Sequence, residues 1–155
     1  MKKIVTIFII LFYMLTNSFS AHADEKVDRQ WQDETIYSIM IDRFHNADGS
    51  NDQDVNMEDS SSYHGGDFLG IIDKLDYIRE MGFTAISLSP IFDHGDGSYQ
   101  GYGVNDFYQT DEHFGTIEEF QKLVAEAHNR DMKVMIDFGV KYVSLKPSWL
   151  TDSSK

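Results

Sequence analysis

Oxygen-bearing side chains are concentrated in residues 42–52. Around Gly49, this segment holds Asp42, Asn46, Asp48, Asn51 and Asp52. Calcium takes about six to eight oxygen ligands in a flexible geometry, so closely spaced Asp and Asn on a glycine-containing loop suit this ion. The EF-hand pattern is not met, because Gly49 at its sixth position would place Phe44 at the first and Val55 at the last. The residue types leave two interpretations open, a calcium site or a solvated acidic turn.

The composition narrows the classes of function. The chain of 155 residues carries 26 Asp and Glu against 13 Lys and Arg, a formal net charge of −13 at pH 7. Binding to a phosphate backbone depends on basic patches, so this charge argues against nucleic acid as a partner. The absence of cysteine excludes disulfides, thiol nucleophiles and cysteine-based zinc sites. A content of 11 Phe and 8 Tyr supplies the apolar surface of a folded core, which a disordered acidic tail lacks.

The N-terminus has the pattern of a secretory signal peptide. Lys2 and Lys3 precede an apolar stretch over residues 4–15, and Ala21-His22-Ala23 fits the small-x-small sequence that signal peptidases cleave. The stretch is shorter than the roughly 20 apolar residues that span a bilayer, so we expect no membrane association after cleavage. The pattern predicts a signal peptide at 1–23, a lead-in segment at 24–35, a folded domain at 36–155 and a secreted, extracellular protein.

Three short apolar runs, at residues 36–41, 85–89 and 134–138, indicate strands buried on both faces. Long polar loops follow the first two of them, at 45–67 and around 95–101. No G-x-G-x-x-G turn or P-loop follows any of the three runs. The polar loops instead extend from the C-terminal ends of the strands, where a barrel builds its active site.

Two amphipathic helices are predicted between these strands. Ile71, Leu75 and Ile78 recur at helical spacing, with Gly82 placed to end the helix. The segment 116–119 forms a capping box ahead of the second helix. The order strand, helix, strand, helix, strand is typical of parallel βαβ units. Periodicity alone does not separate an open doubly wound sheet from a closed (β/α)8 barrel.

Four sequence blocks resemble the start of the catalytic barrel of the alpha-amylase family, glycoside hydrolase family 13. In chain order they are IYSIMIDRF at 36–44, HGGDFLGI at 64–71, GYGVNDFY at 101–108 and DEHFGT at 111–116. In these blocks the chain is similar to secreted bacterial alpha-amylases, cyclodextrin glucanotransferases and neopullulanases. The resemblance implies an α/β fold, a partial (β/α)8 TIM barrel with its first three strands and two helices.

The resemblance also implies a calcium site in the loop after the first strand. Its ligands would be the side chains of Asn46, Asp48, Asn51, Asp52 and Asp67 and the main-chain carbonyl of Gly65. Each of these positions offers an oxygen donor in this sequence. With the family taken into account, calcium is the predicted cofactor.

Three further residues are implied to contact an α-glucan such as starch, a malto-oligosaccharide or a cyclodextrin. Tyr102 lies where the family stacks an aromatic ring on the sugar next to the cleaved bond. Gln100 stands where a histidine is frequent, and its amide can still hydrogen-bond a hydroxyl. Asp137, at the end of the third strand, matches an aspartate that shapes the family's active site.

The sequence departs from the family after Asp137. Lys141 and Tyr142 stand where an Asn-His pair is usual. The asparagine binds a second calcium ion in many members, and a lysine ammonium cannot replace it because it has only hydrogen-bond donors. We hypothesise that Lys141 supplies in place the positive charge of that ion. The other histidines show no metal-ligand spacing, and no role at the site is predicted for His22, His45, His94, His113 or His128.

No carboxylate of the chain matches a catalytic position of the family. There the nucleophile and the acid/base follow the fourth and fifth barrel strands, and a retaining glycosidase needs the two about 5 Å apart. A complete barrel takes about 250 residues. The resemblance therefore predicts the N-terminal fragment of a secreted retaining glycosidase that acts on α-1,4-glucans, with its catalytic carboxylates beyond the chain end. The alternative is a truncated, non-catalytic calcium- or carbohydrate-binding protein.

Overall fold

The computed structural model describes residues 29–95, 99–141, 143, 144 and 147. The predicted signal peptide, residues 24–28 of the lead-in segment and Tyr142 lie outside the described residues. Within the described ranges, no helix is long and apolar enough to cross a membrane. The strands and helices named below all belong to the unit Gln32–Lys155.

A three-stranded parallel sheet forms the centre of the fold. It comprises β1 (Ile36–Ile39), β2 (Ala85–Leu88) and β5 (Lys133–Ile136), in the order β1-β2-β5. The central strand is parallel to both neighbours, with Ala85 opposite Ile36 on one side and Lys133 on the other. Because the three strands run in the same direction, their carboxyl ends meet at one edge of the sheet, as the predicted βαβ order requires.

The two predicted helices are present. Helix α1 (Phe68–Glu80) lies between β1 and β2 in the chain, and α2 (Ile117–Asn129) precedes β5. Thr116 and Glu119 form the predicted capping box: the Glu119 amide donates to Thr116 Oγ1 at 3.2 Å, and the Thr116 amide donates to Glu119 Oε2 at 2.7 Å. The apolar faces of both helices and of β2 form one core, which includes Ile71, Leu75, Ile78, Ile86, Leu88, Leu123 and Ala127.

The prediction that all three strands are buried on both faces is wrong for β1 and β5. In β2, Ala85, Ile86 and Leu88 are buried. By contrast, Ile36 of β1 is 42% exposed and Met135 of β5 is 38% exposed. In the described sheet these are edge strands with one neighbour each, so their apolar side chains lack the cover that a further barrel strand and its helix would give.

A β-hairpin, which was not predicted, flanks the second long loop around residues 95–101. Strands β3 (Phe92–His94) and β4 (Val104–Thr110) pair antiparallel, with an irregular register. The three residues of β3 are too few to show an apolar alternation, so periodicity does not detect this strand. The hairpin matters for function because Tyr102 lies just before β4.

Candidate substrate cleft and calcium loop

A cleft of about 370 Å³ opens at the carboxyl ends of the parallel strands. Its walls are the last residues of β1, β2 and β5 together with Tyr102 and Asp137. Within it, the Tyr102 hydroxyl donates a hydrogen bond of 2.5 Å to Asp137 Oδ2. Two of the three predicted substrate residues are thus in contact, although 35 positions separate them in the chain.

Backbone geometry holds both members of this pair. The Asp137 amide donates to the Leu88 carbonyl at 2.8 Å, which carries the β2–β5 pairing past the end of the strand. Before Tyr102, Gly101 has φ +82°, and a Cβ on it would lie 2.6 Å from the Pro90 carbonyl oxygen. Glycine is the residue that fits this conformation and this close approach. The main chain therefore fixes where Tyr102 stands opposite Asp137.

The pair can bind a sugar by two kinds of contact. The Tyr102 side chain is 43% exposed, so a ring face is open to the apolar face of a pyranose. The Asp137 carboxylate accepts hydrogen bonds, as it does from Tyr102. That hydrogen bond raises the pKa of the Tyr102 phenol, and the hydroxyl keeps its proton at neutral pH. Asp137 is the one carboxylate among the described residues that line the cleft, whereas retaining hydrolysis takes a pair.

Three of the six predicted calcium ligands are in mutual contact in the segment 45–67, called here the calcium loop. Asn46 Nδ2 donates to both carboxylate oxygens of Asp52, each at 2.8 Å. Gly65 packs against the same two side chains: a Cβ on it would lie 2.4 Å from Asn46 Nδ2 and 2.6 Å from Asp52 Oδ1. A larger residue at position 65 would fill the space between these groups.

Asp67 ties the calcium loop to α1. Its Oδ1 accepts from the Gly70 amide at 2.5 Å and caps the helix, while Oδ2 accepts from the amides of Ala47 and Asp48 at 2.8 Å each. The Asp48 carboxylate accepts from the Ser50 amide at 2.9 Å. Hydrogen bonds from Ser50 lower the pKa of Asp48, so this carboxylate is charged over the whole neutral range. Both carboxylates are therefore fixed in place by main-chain donors.

Asn51 provides the observation that favours a cation. Its Oδ1 is buried and has no hydrogen-bond partner among the described residues. A buried acceptor left unpaired costs about 1–3 kcal/mol, and a hard cation is a suitable partner for such an oxygen. In the described part of the chain, no group of three or more His, Asp and Glu side chains could hold a metal ion. An ion here would also need the amide and main-chain oxygens of Asn46, Asn51 and Gly65, which are donor types that calcium accepts.

A sequence model of the alpha-amylase catalytic domain matches residues 38–155. The chain belongs to the alpha-amylase family.

Two solved alpha-amylases share sequence and fold with the chain. An alpha-amylase from Anoxybacillus is 57% identical, with a TM-score of 0.78, over 81% of this chain and 28% of its own. The alpha-amylase of Geobacillus thermoleovorans, solved in complex with acarbose, is 52% identical, with a TM-score of 0.74, over 83% of this chain and 27% of its own. The described fold is therefore part of the alpha-amylase (β/α)8 barrel, and the predicted fold class is confirmed.

A longer relative also matches. The beta/alpha-amylase of Paenibacillus polymyxa is 44% identical over 133 residues, which are 83% of this chain and 11% of that protein. The chain thus spans between 11% and 28% of the length of these three alpha-amylases.

Gln100, the third predicted substrate residue, is not among the described residues that line the cleft with Tyr102 and Asp137. Its side chain is exposed, and Nε2 donates to the Tyr99 hydroxyl at 3.1 Å. The Arg43 guanidinium lies over the Tyr99 ring, 4.0 Å from its centroid. The structure brings Tyr102 and Asp137 together and places Gln100 on this neighbouring aromatic side chain.

Sequence reasoning missed how Arg43 holds the calcium loop. Asp42 Oδ1 accepts from the amides of His64 and Gly65, at 2.8 and 3.2 Å, and Oδ2 pairs with Arg43 Nε at 2.8 Å. Arg43 Nη2 donates to the carbonyl of Ser62 at 2.8 Å. The adjacent Asp and Arg in the first family block were the available signal, because a buried carboxylate beside a guanidinium suggests a structural ion pair.

His94 and His113, for which no role was predicted, both contact Asp111. His113 is separated from Asp111 by one residue, so a local contact could have been suggested from the sequence. His94 lies 17 positions before Asp111 and meets it only because the hairpin forms.

Proposed function

We propose that this chain forms the N-terminal part of a secreted alpha-amylase-type glycosidase that binds and hydrolyses α-1,4-linked glucans such as starch and malto-oligosaccharides. The contact between Tyr102 and Asp137 at the carboxyl ends of the parallel sheet carries this proposal. Active sites of (β/α)8 barrels lie at this end of the strands. The acarbose complex of the Geobacillus thermoleovorans relative supports a carbohydrate of that kind as the ligand.

In this proposal the two residues bind and orient the sugar. The Tyr102 ring stacks on the apolar face of one pyranose and keeps its proton on Oη. A sugar hydroxyl donates to the Asp137 carboxylate, which has lone pairs left beside its bond from Tyr102. Together they hold a glucose unit against the ends of β2 and β5. The family resemblance assigns nucleophile and acid/base to carboxylates after later barrel strands, which act by the retaining two-carboxylate mechanism.

Calcium is the proposed cofactor of the calcium loop. Asn46, Asp48, Asn51, Asp52 and Asp67 would hold it with the carbonyl of Gly65. When bound, the ion supplies a fixed positive charge that offsets the repulsion among the loop carboxylates. The unpaired Asn51 Oδ1 and the convergence of Asn46, Asp52 and Gly65 support this assignment. Asp67 then links the loop and the start of α1, so metal binding and the packing of the helix depend on each other.

The test uses the secreted protein at the length in which the source organism releases it. Release of reducing ends from soluble starch is compared for the wild type, Tyr102→Ala and the control Tyr108→Ala, whose side chain is 96% exposed on β4. We expect kcat/KM to fall about tenfold or more for Tyr102→Ala, equivalent to about 1.4 kcal/mol, and to stay unchanged for the control.

Two other results would change the proposal. Binding of starch without release of reducing ends would support the alternative, a non-catalytic carbohydrate-binding protein. That alternative is favoured by the single carboxylate among the described residues of the cleft. Absence of both binding and hydrolysis would contradict both functions. N-terminal sequencing of the same secreted material tests the predicted cleavage, since we expect it to begin at Asp24.

A further inference from the structure

A buried cluster of titratable side chains lies outside the cleft and the set of calcium ligands. His94, at the end of β3, and Asp111, directly after β4, are both buried. His94 Nδ1 lies 3.0 Å from Asp111 Oδ2 and 2.9 Å from the Phe92 carbonyl, and the His94 amide donates to the same Oδ2 at 3.3 Å. On the other side of the ring, Nε2 lies 3.0 Å from the hydroxyl of Tyr63, which is in the calcium loop.

These partners fix where the protons are. A carbonyl and a carboxylate only accept hydrogen bonds, so His94 Nδ1 carries a proton in every state of the ring. When the imidazole is neutral, Nε2 is bare and accepts from the Tyr63 hydroxyl. When the imidazole is protonated, Nε2–H donates to Tyr63 Oη, and the bond from Nδ1 to Asp111 becomes charge-assisted, which makes it roughly twice as strong as a neutral one.

His113 forms a second arm on the same carboxylate. Its Nδ1 lies 2.8 Å from Asp111 Oδ1, and its amide donates to the same oxygen at 3.0 Å. The His113 ring also stacks on Tyr63, with centroids 3.7 Å apart and planes 8° from parallel. We call Tyr63, His94, Asp111 and His113 the junction.

The junction connects two segments that carry function. On one side, Tyr63 precedes Gly65 of the calcium loop by two residues. On the other, the hairpin leads to Tyr102. Its open end is closed by the Asp111 amide, which donates to the Ile91 carbonyl at 3.0 Å, and its loop end by the Gly95 amide, which donates to the Gly103 carbonyl at 3.2 Å. The contacts of the junction are therefore well placed to hold the hairpin against the calcium loop.

We propose that His94 is a positioning residue whose imidazole, held by Asp111 and Tyr63, fixes the hairpin against the calcium loop, and that protonation of the ring tightens this attachment. The consequence for Tyr102 as a sugar-binding residue rests on the proposed function, whereas the junction itself does not.

The charges around His94 favour protonation of its ring. Its neighbours are acidic: Asp111 faces it from the segment after β4, Asp93 from β3, and Asp54 and Glu112 line the same cleft of about 610 Å³ beside the junction. Burial disfavours the charged ring, but the hydrogen bond and charge of Asp111 outweigh this and raise the pKa of His94.

The pKa values of His113 and Asp111 shift in the matching directions. The hydrogen bond to Asp111 raises the pKa of His113 against the opposing effect of burial. Burial alone would raise the pKa of Asp111, but the hydrogen bonds from His113 and His94 hold it well below its usual range.

The directions of these pKa shifts set the pH range in which the junction is most stable. The stabilisation from the two histidines is complete below pH 6.5, the ordinary pKa of a histidine. It is lost as the pH rises through the higher pKa values that they have in the folded protein. The stabilisation from Asp111 is complete above pH 3.8, the ordinary pKa of an aspartate. It is lost as the pH falls through the lower pKa that Asp111 has in the folded protein. The junction is therefore most stable between pH 3.8 and 6.5 and weakens toward alkaline pH.

Amide hydrogen exchange on the secreted protein at its natural length tests the proposal without any glucan. After correction for intrinsic rates, we expect exchange of the Gly95 and Asp111 amides to be at least about threefold slower at pH 5.5 than at pH 7.5 in the wild type. His94→Gln, which cannot titrate at this position, should reduce this pH dependence to the part that His113 contributes. The control His128→Gln, at an exposed position of α2, should retain it. A His94→Gln protein with the pH dependence of the wild type would overturn the proposal.

A second measurement decides the matter if His94→Gln does not fold. The wild-type His94 ring, followed by ¹H–¹³C NMR, should titrate with a midpoint above 6.5, and Tyr63→Phe should lower this midpoint because the protonated ring loses its acceptor. A wild-type midpoint at or below 6.5 would overturn the proposal. Neither measurement involves a sugar. A protein that does not bind glucans can therefore be distinguished from one in which His94 does not hold the junction.

Discussion

Tyr102 Oη donates to Asp137 Oδ2 at 2.5 Å, and this bond joins the hairpin to the carboxyl end of β5. One residue reaches the cleft from the turn before β4, and the other is placed by the pairing of β5 with β2. The contact therefore requires both the antiparallel hairpin and the parallel sheet to be formed. It is the point where two separately built parts of the fold meet.

The ionisation of Tyr102 should depend on Asp137. The hydrogen bond to this carboxylate raises the phenol pKa above its ordinary value of 10.0, because the carboxylate stabilises the protonated form. Asp137→Asn removes the charge, so we expect the Tyr102 midpoint to fall toward 10.0. Titration of ¹³C-labelled tyrosine by NMR resolves this residue, and the exposed Tyr108 serves as the internal control. An unchanged midpoint in Asp137→Asn would show that the two side chains are not bonded in solution.

The effect of Asn51→Leu on stability should depend on calcium, being neutral or stabilising without the ion and destabilising relative to the wild type with it. In chelator, Asn51→Leu should be as stable as the wild type or more so, because it removes a buried oxygen that has no partner. With calcium at about a hundredfold excess over its Kd, the wild type should gain about 2.7 kcal/mol from binding, and Asn51→Leu should gain much less. Thermal unfolding with and without calcium measures both effects.

A matched control for that experiment is Gln53→Leu, at a nearby exposed position. It should show the same gain from calcium as the wild type. If Asn51→Leu gains as much stability from calcium as Gln53→Leu does, Asn51 is not a ligand.

Gly66 should not tolerate a side chain. A Cβ at this position would lie 2.0 Å from the Ile41 carbonyl oxygen and 2.6 Å from the Asp42 carbonyl carbon, so the calcium loop would have to move away from the end of β1. We expect Gly66→Ala to lower the free energy of unfolding by about 3 kcal/mol, at the upper end of overpacking costs. The control is Gly49→Ala, whose Cβ would meet Asp52 at an ordinary 3.6 Å. Equal stability of the two variants in denaturant unfolding would contradict the structure at this contact.

Local sequence signals account for the parts of the fold that were predicted. The capping box of Thr116 and Glu119 and the stripe of Ile71, Leu75 and Ile78 depend on neighbours within a turn or two of helix, so they are readable from spacing alone. The hairpin was not predicted because β3 has three residues and is defined by pairing with β4 across a long connection. The exposure of Ile36 and Met135 was missed because burial depends on the neighbouring strands and helices, which the residues of a strand do not report.

The exposed edges of β1 and β5 predict how residues 24–155 behave as an isolated chain. Edge strands with free main-chain hydrogen-bonding groups and exposed apolar side chains promote association between copies. We expect this segment, expressed alone, to elute as oligomers or aggregates in size-exclusion chromatography. A monomer with a single cooperative thermal transition would contradict this expectation.

The candidate site was predicted in part, and the reason differs between residues. The family resemblance pointed to Tyr102 and Asp137 individually, but their contact depends on backbone pairing over 35 positions, which no local pattern reports. Gln100 was assigned by its position beside Tyr102, yet its side chain turns to Tyr99. His94 has no local signal at all, because Asp111 and Tyr63 reach it only in the folded chain.

The most direct test of the central claim is the affinity for acarbose of the secreted protein at its natural length, measured by isothermal titration calorimetry. We predict saturable binding by the wild type, an affinity at least about tenfold lower for Tyr102→Ala, and wild-type affinity for Tyr108→Ala. Equal affinity of the wild type and Tyr102→Ala, or no binding by the wild type, would contradict the assignment of the Tyr102–Asp137 cleft as the glucan site.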